Sequence, residues 1–120
     1  MDLLANIVIG LIAVLHIWIL VLEMFLWTHP VGRKTFGITA QVAEDSKVLA
    51  ANQGLYNGFL AAGLIWGLLS GDWSVKVFFA ACVLVAGLYG GMTAKRSILY
   101  IQALPGVIAL ALLFGAKNFM

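Results

Sequence analysis

A carboxyl group and an imidazole stand in a stretch of the sequence that is otherwise almost wholly apolar. Glu23 follows His16 by seven residues, which is about two turns of an α-helix and roughly 10 Å along its axis. Leu20 lies between them and Trp27 one turn beyond, so the four side chains share one helix face. Carboxyl groups and imidazoles are the usual agents of proton transfer. We therefore expect Glu23 and His16 to act as proton donor and acceptor.

Amide and aromatic side chains open a second apolar stretch. Asn52 and Tyr56 are four residues apart, and so are Gln53 and Asn57, so each pair lies on one face of a helix. Amides orient a ligand through hydrogen bonds, and aromatic rings pack against it. With one further amide near the end of the chain, the expected ligand-binding residues are Trp27, Asn52, Gln53, Tyr56, Asn57 and Gln102.

The composition indicates what kind of helices must position these groups. The 120 residues are 63% hydrophobic and 10% charged, whereas soluble domains are about 45–50% apolar and about 25% charged. A water-soluble chain of this length could not bury so much apolar surface. The net charge of +2 without a long basic run gives no reason to expect nucleic acid as a partner. The lipid bilayer is the expected surrounding.

Four apolar stretches are long enough to cross that bilayer as helices, which need about 20 residues each. Long apolar runs without strict alternation favour helices over strands. We therefore predict an all-α fold, an integral membrane four-helix bundle formed by the single domain 1–120. The spans are expected at about 3–27, 50–69, 74–93 and 98–116. Glycines four residues apart within them, such as Gly54 and Gly58, predict close helix packing.

The basic residues predict the direction of the spans. With four crossings, both termini and the turn near residue 71 share one side of the bilayer. That side carries two basic residues and the other side five: Lys76 and Lys117 against Arg33, Lys34, Lys47, Lys95 and Arg96. The side richer in Lys and Arg is usually cytoplasmic. Both termini are therefore expected on the non-cytoplasmic side.

The loop at about 28–49 is then cytoplasmic, and two structures are compatible with its sequence. Pro30 ends the first helix or begins a new one. Residues 39–49 are polar with apolar residues interleaved, as in a short amphipathic helix lying on the membrane. The same residues could instead extend the second span into the cytoplasm.

The predicted topology brings the polar groups to a common depth. Glu23 and Trp27 end the first span on the cytoplasmic side, and the amides 52–57 begin the second span there. Gln102 lies early in the fourth span, ahead of Pro105. Because buried polar groups in lipid are costly and often functional, we predict a polar pocket in the cytoplasmic half of the bundle. A structural role, with the amides joining helices, is the alternative interpretation.

The segment Asn52-Gln53-Gly54-Leu55-Tyr56-Asn57-Gly58-Phe59-Leu60-Ala61-Ala62-Gly63 resembles a bacterial membrane family catalogued as a domain of unknown function, number 1304. The spacing His16…Glu23…Trp27…Pro30, with Phe36-Gly37 after it, is similar to the same family, as is Gln102 ahead of Pro105. The resemblance covers essentially the whole chain. It implies a four-span protein of the bacterial cytoplasmic (inner) membrane and brings no established activity.

Three functions are compatible with these residues. The first is a pocket that binds a small apolar or amphipathic molecule, or acts on it by proton transfer. The second is a small transporter or proton-coupled permease, for which a homo-oligomer could supply a pathway between subunits. The third is a structural or accessory membrane subunit without a ligand. His16 and Glu23 alone do not make a metal site, and no cofactor motif is present, so neither a metal nor a cofactor is expected.

Overall fold

The computed structural model describes the backbone of residues 2–118 and the side chains of residues 3–115. Met1, Phe119 and Met120, which belong to the predicted domain 1–120, lie outside the described residues, as does the side chain of Lys117. No strand is found within the described range, so the prediction of an all-α fold is confirmed. The elements are α1 (Asp2–Met24), α2 (Pro30–Phe36), α3 (Ala40–Ser70), α4 (Trp73–Thr93), a π-helical segment (Leu99–Ala103) and α5 (Leu104–Asn118).

Two helices in the described part of the chain are long and apolar enough to cross a membrane. They are Leu3–Met24 in α1 and Trp73–Thr93 in α4. The apolar helix Leu99–Gly115 is shorter. The apolar part of α3 is long, but the amides Asn52, Gln53 and Asn57 lower its mean hydropathy. The crossings predicted at 50–69 and 98–116 are therefore not among these two candidates, the first because of its lower hydropathy and the second because its apolar helix is shorter.

The predicted loop at about 28–49 contains α2 and the first turns of one long helix, α3. The Thr39 hydroxyl accepts the backbone N–H of Val42 at 3.1 Å and caps the start of α3. α3 then continues without interruption for 31 residues and ends before Gly71, whose φ of 70° suits a glycine. Residues 40–49 are thus helical and continuous with the second predicted helix, and their place in the cytoplasm stays a prediction.

The chain divides into two compact units. One is Val14–Ala61, which contains the second half of α1, all of α2 and the first part of α3. The other consists of the described residues of Met1–Ala13 and Ala62–Met120, including α4, the π-helical segment and α5.

In the second of these units, α4 and the segment that follows it pack through glycines. A methyl group on Gly87 would lie 2.6 Å from the backbone nitrogen of Ala103. One on Gly106 would lie 3.1 Å from the backbone nitrogen of Leu84. The missing side chains let the two backbones approach closely, as the glycine content of the spans predicts. The N–H of Leu104 donates to the carbonyl of Leu99, which completes the π-helical turn ahead of Pro105.

Candidate functional site

Within Val14–Ala61, α1 and α3 lie close together because α3 presents glycines to α1. A methyl group on Gly54 would lie 2.6 Å from Cγ of Met24 and 3.1 Å from Cβ of Glu23. One on Gly58 would lie 2.6 Å from Cδ1 of Leu20. The face of α1 that carries Leu20 and Glu23 is therefore the face that meets α3. The glycine spacing brings the carboxyl group of Glu23 against the second helix.

Glu23 and Asn57 form a direct hydrogen bond between these two helices. The Asn57 side-chain nitrogen donates to Oε1 of Glu23 at 2.6 Å, and the contact is partly buried. The same nitrogen donates to the backbone carbonyl of Gln53 at 3.2 Å, one turn earlier on α3. Both amide hydrogens are thus used, which fixes the orientation of the amide group. Oε2 of Glu23 and Oδ1 of Asn57 make no hydrogen bond to the described residues.

His16 is completely buried in the same unit. It precedes Glu23 by two turns of α1 on the same face, which places the two groups roughly 10 Å apart along the helix axis. That separation is too long for direct proton transfer, which needs hydrogen-bond distance or one bridging water. The predicted proton acceptor, His16, is thus buried, and transfer of a proton between it and Glu23 would need a mediating group.

Trp27 makes a contact that the sequence did not reveal. Its indole N–H donates to the Ser46 hydroxyl at 3.1 Å, and that hydroxyl donates to the carbonyl of Val42 at 2.6 Å. The ring also lies against Phe36, with 4.9 Å between ring centroids. Ser46 precedes Asn57 by eleven residues, about three turns of α3, so both lie on the side that faces α1 and the following segment. The helical spacing of Ser46 from Asn57 is the sequence signal that could have identified Ser46. It can be used only if residues 40–49 are known to be helical.

Three of the predicted ligand-binding side chains are exposed within this unit. They are Asn52, Gln53 and Tyr56. Tyr56 packs edge to face on Phe59, with 5.7 Å between ring centroids. Because Gly54, Asn57 and Gly58 face α1, the helical rotation turns residues 52 and 56 to other sides of α3, whereas Gln53 lies one turn before Asn57 at the exposed edge of the face that meets α1. Their role in ligand binding stays a prediction.

Gln102 belongs to the other compact unit and lies in the π-helical segment. Its side-chain nitrogen donates to the carbonyl of Val83 on α4 at 3.4 Å. That contact joins the π-helical segment to α4. The predicted participation of Gln102 in a pocket with Glu23 also stays a prediction.

The residues brought together are therefore Glu23 and Asn57, and Trp27 contacts Ser46 about three turns of α3 before Asn57. An amide that holds a carboxyl group in place suits hydrogen bonding to a polar group of a ligand and exchange of a proton with it. Among the described residues, no group of three or more His, Cys, Asp and Glu side chains is placed to hold a metal ion.

Comparisons with known proteins give a family without an assigned activity. The chain is 27% identical over 114 residues to the uncharacterized protein YpaA of Lactococcus lactis subsp. lactis (strain IL1403), an overlap of 92% of this chain and 96% of that protein. No solved structure matches. The family model described as "Protein of unknown function (DUF1304)" matches residues 10–114. With nearly its whole length in that match, the chain belongs to the DUF1304 family.

Proposed function

We propose that the protein is an integral protein of the bacterial cytoplasmic (inner) membrane that crosses the bilayer four times. Its crossings are α1, the part of α3 from about residue 50, α4, and the π-helical segment together with α5. Both termini lie on the non-cytoplasmic side, as the distribution of Lys and Arg indicates. α2 and the first turns of α3 are then cytoplasmic.

The exposure of apolar side chains supports this placement. Only 28% of the most apolar part of each candidate span is buried within the structure, whereas the core helix of a soluble protein is mostly buried. Leu3, Val85 and Met92 are 73%, 65% and 83% exposed. In water these surfaces would be an aggregation hazard, and in lipid they are ordinary. The candidate span in α4 lies in the interior of the chain, so removal of a leader would not account for it.

The function that the geometry supports best is binding of a small apolar or amphipathic molecule at the Glu23–Asn57 pair, with proton exchange at the carboxyl group. The observation that carries the proposal is the 2.6 Å hydrogen bond from Asn57 to Oε1 of Glu23. It holds an acidic group in a defined orientation between two of the predicted spans, in which most residues are apolar. Ionisable residues in membrane helices are costly and commonly functional. The second oxygen of Glu23 is the atom that would meet the ligand.

Copurification of a ligand would test this proposal. Full-length protein, extracted in mild detergent, would be analysed by mass spectrometry for small molecules that remain bound. Glu23→Gln is expected to reduce the retained amount at least about tenfold, because a carboxyl group that hydrogen-bonds a ligand contributes about 1.5–3 kcal/mol. Glu44→Gln is the matched control, because Glu44 is an exposed residue of α3 that pairs with Lys47 at 2.6 Å.

Equal retention by wild type and Glu23→Gln would contradict ligand binding at this pair. If Glu23→Gln instead lowers the folded fraction and no retained molecule is found in any variant, the structural or accessory role is correct. Solute uptake into proteoliposomes that depends on Glu23 would point to the transporter.

The topology has a separate test, because Cys82 is the only cysteine of the chain. In a Cys82→Ser background, Lys34→Cys and Ser74→Cys place one thiol on each proposed side. A membrane-impermeant maleimide should label residue 74 in intact spheroplasts and residue 34 only after permeabilisation. The opposite pattern would show that the protein has the reverse orientation. Labelling of both residues in intact spheroplasts would exclude a single crossing between residues 34 and 74.

A further inference from the structure

A surface pocket lies along one face of α2 and the turn that follows it, and neither Glu23 nor Asn57 lines it. It has a volume of about 280 Å³ and is lined by Pro30, Arg33, Lys34, Gly37 and Ile38. Two of its lining residues are basic and none is acidic. The proposed function makes no use of it.

The short helix that carries the basic residues is fixed at both ends. His29 Nδ1 accepts the N–H of Val31, and Pro30 occupies the first turn. Gly37 ends the helix in the left-handed conformation, with φ 66° and ψ 41°. Gly32 is buried against the carbonyl of Leu26, where a side chain would collide with the backbone. α2 therefore holds its basic residues at defined positions.

The hydrogen bond from Trp27 to Ser46 and the contact of Trp27 with Phe36 hold the same helix to α3. Phe36 is the last residue of α2, next to the pocket. The pocket is thus part of a packed structure.

The two basic side chains of the pocket have no acidic partner among the described residues. Elsewhere in this unit, Lys47 pairs with Glu44 at 2.6 Å. Nε of Arg33 is shielded from solvent and makes no hydrogen bond to the described residues. A buried donor without a partner is costly, so an acceptor at this position would stabilise the site.

The chemistry of the pocket selects an anion that accepts hydrogen bonds from side chains. The backbone N–H groups of Gly37 and Ile38 both donate to the carbonyl of Arg33 and so are already used. A guanidinium beside an ammonium group matches the oxygens of a phosphate ester. Basic residues at the end of a helix also interact with its dipole, but that interaction leaves the buried Nε without a partner.

We propose that this pocket binds the phosphate of an anionic lipid headgroup. The inference rests on the membrane placement proposed above, which puts α2 at the cytoplasmic surface, where anionic lipids attract basic residues. Phe25, which precedes the pocket in sequence, and Val31, which lies between two of its lining residues, are 71% and 41% exposed and suit contact with the acyl region. A soluble phosphate ester shares the same chemistry, so the test must separate the two sources.

Native mass spectrometry of the full chain in mild detergent, titrated with phosphatidylglycerol and with phosphatidylcholine, tests the proposal. Wild type is expected to bind phosphatidylglycerol in preference. Arg33→Gln with Lys34→Gln should weaken that binding at least about tenfold, since each basic residue contributes about fivefold at a membrane surface. Lys95→Gln with Arg96→Gln removes an equal charge from an exposed basic pair outside the pocket and should change binding less than about twofold. Arg33→Lys should weaken it about threefold, because it keeps the charge and loses the planar donor set.

Three results would overturn the proposal: no preference for phosphatidylglycerol, equal weakening by the control pair, or release of the lipid by millimolar glycerol 3-phosphate. The last would assign the pocket to a soluble phosphate ester. Unchanged helix content by circular dichroism and unchanged tryptophan emission would show that each variant is folded. Extraction of wild type from membranes by alkaline carbonate would refute the membrane placement itself. Retention in the membrane without a lipid preference would refute the headgroup site alone.

Discussion

Glycines let helices approach closely in both compact units, but the contacts that accompany the glycines differ. In Val14–Ala61, α1 and α3 are joined by the side-chain hydrogen bond between Glu23 and Asn57. In the other unit, α4 approaches the π-helical segment at Gly87 and α5 at Gly106, and the nearest neighbours of both glycines are backbone atoms. Polar contacts also occur in that unit: the Gln102 side chain donates to the carbonyl of Val83 at 3.4 Å, and two shorter contacts lie at the start of α4. Lys76 donates to Asn6 at 2.8 Å, and the indole of Trp73 donates to the carbonyl of Leu113 at 2.9 Å.

This difference separates contacts that only pack helices from a contact with a further use. Glycine contacts give close approach through dispersion alone and need no polar atom. Asn57 lies in the interior of the 31-residue α3, where an apolar residue would pack without desolvating an amide and a carboxyl group. The proposed function supplies a reason for keeping this pair in Val14–Ala61.

The largest effect is expected from filling a glycine contact of the second unit. Gly87→Val would place carbon atoms within 3 Å of the Ala103 backbone and should lower the free energy of unfolding by about 3 kcal/mol. The free energy of unfolding is measured by unfolding the protein in mixed micelles with dodecyl sulfate and monitoring the circular dichroism. Gly90→Ala is the control, because its new methyl group would meet only the side chain of Ile98, at 3.3 Å. Similar losses in both variants would mean that α4 does not pack through Gly87.

A smaller effect is expected from the polar contact of Val14–Ala61. A double-mutant cycle with Glu23→Leu and Asn57→Leu should give a coupling energy of about 1 kcal/mol, within the range found for hydrogen bonds between membrane helices. The matched cycle in the other unit, Lys76→Leu with Asn6→Leu, should give about 0.5 kcal/mol, because helix ends near water regain solvation. A coupling at Lys76 and Asn6 equal to that at Glu23 and Asn57 would remove the contrast between the units.

The sequence allowed the pair to be predicted only in part. Glu23 and Asn57 were both candidates because each is polar in an apolar stretch. Their direct contact depends on the rotation of α3, which the packing of Gly54 and Gly58 on α1 determines. That rotation also leaves Asn52 and Tyr56 exposed, although their spacing matched that of Gln53 and Asn57.

Ser46 and the single long α3 show a second limit of sequence analysis. Residues 40–49 are too polar for a span, so hydropathy ends the second helix near residue 50. A helix does not need apolar residues in order to form, because the Thr39 cap and continued backbone hydrogen bonding suffice. The all-α class and the glycine contacts, in contrast, follow from composition and spacing.

Removal of the Ser46 hydroxyl tests whether the second hydrogen bond of this unit is also a structural link. Ser46→Ala should lower the free energy of unfolding by about 0.5–1 kcal/mol, the typical value of one hydrogen bond. Because the indole of Trp27 then loses its acceptor, the tryptophan emission should also shift. Ser74→Ala, an exposed residue of α4, is the control and should change neither quantity. Unchanged emission in Ser46→Ala would mean that the indole donates elsewhere.

The smallest change in stability is expected at the exposed amide Gln53, and this is where packing and ligand binding separate most clearly. Gln53→Leu leaves the backbone carbonyl that accepts from Asn57 in place, so the free energy of unfolding should change by less than about 0.5 kcal/mol. If Gln53 orients the ligand, the molecule retained by purified protein should nevertheless decrease, as it does in Glu23→Gln. Retention equal to that of wild type would limit the binding site to the face of α3 that meets α1. A clear loss of stability would instead show that Gln53 contacts another helix in the membrane, since no side-chain partner holds it among the described residues.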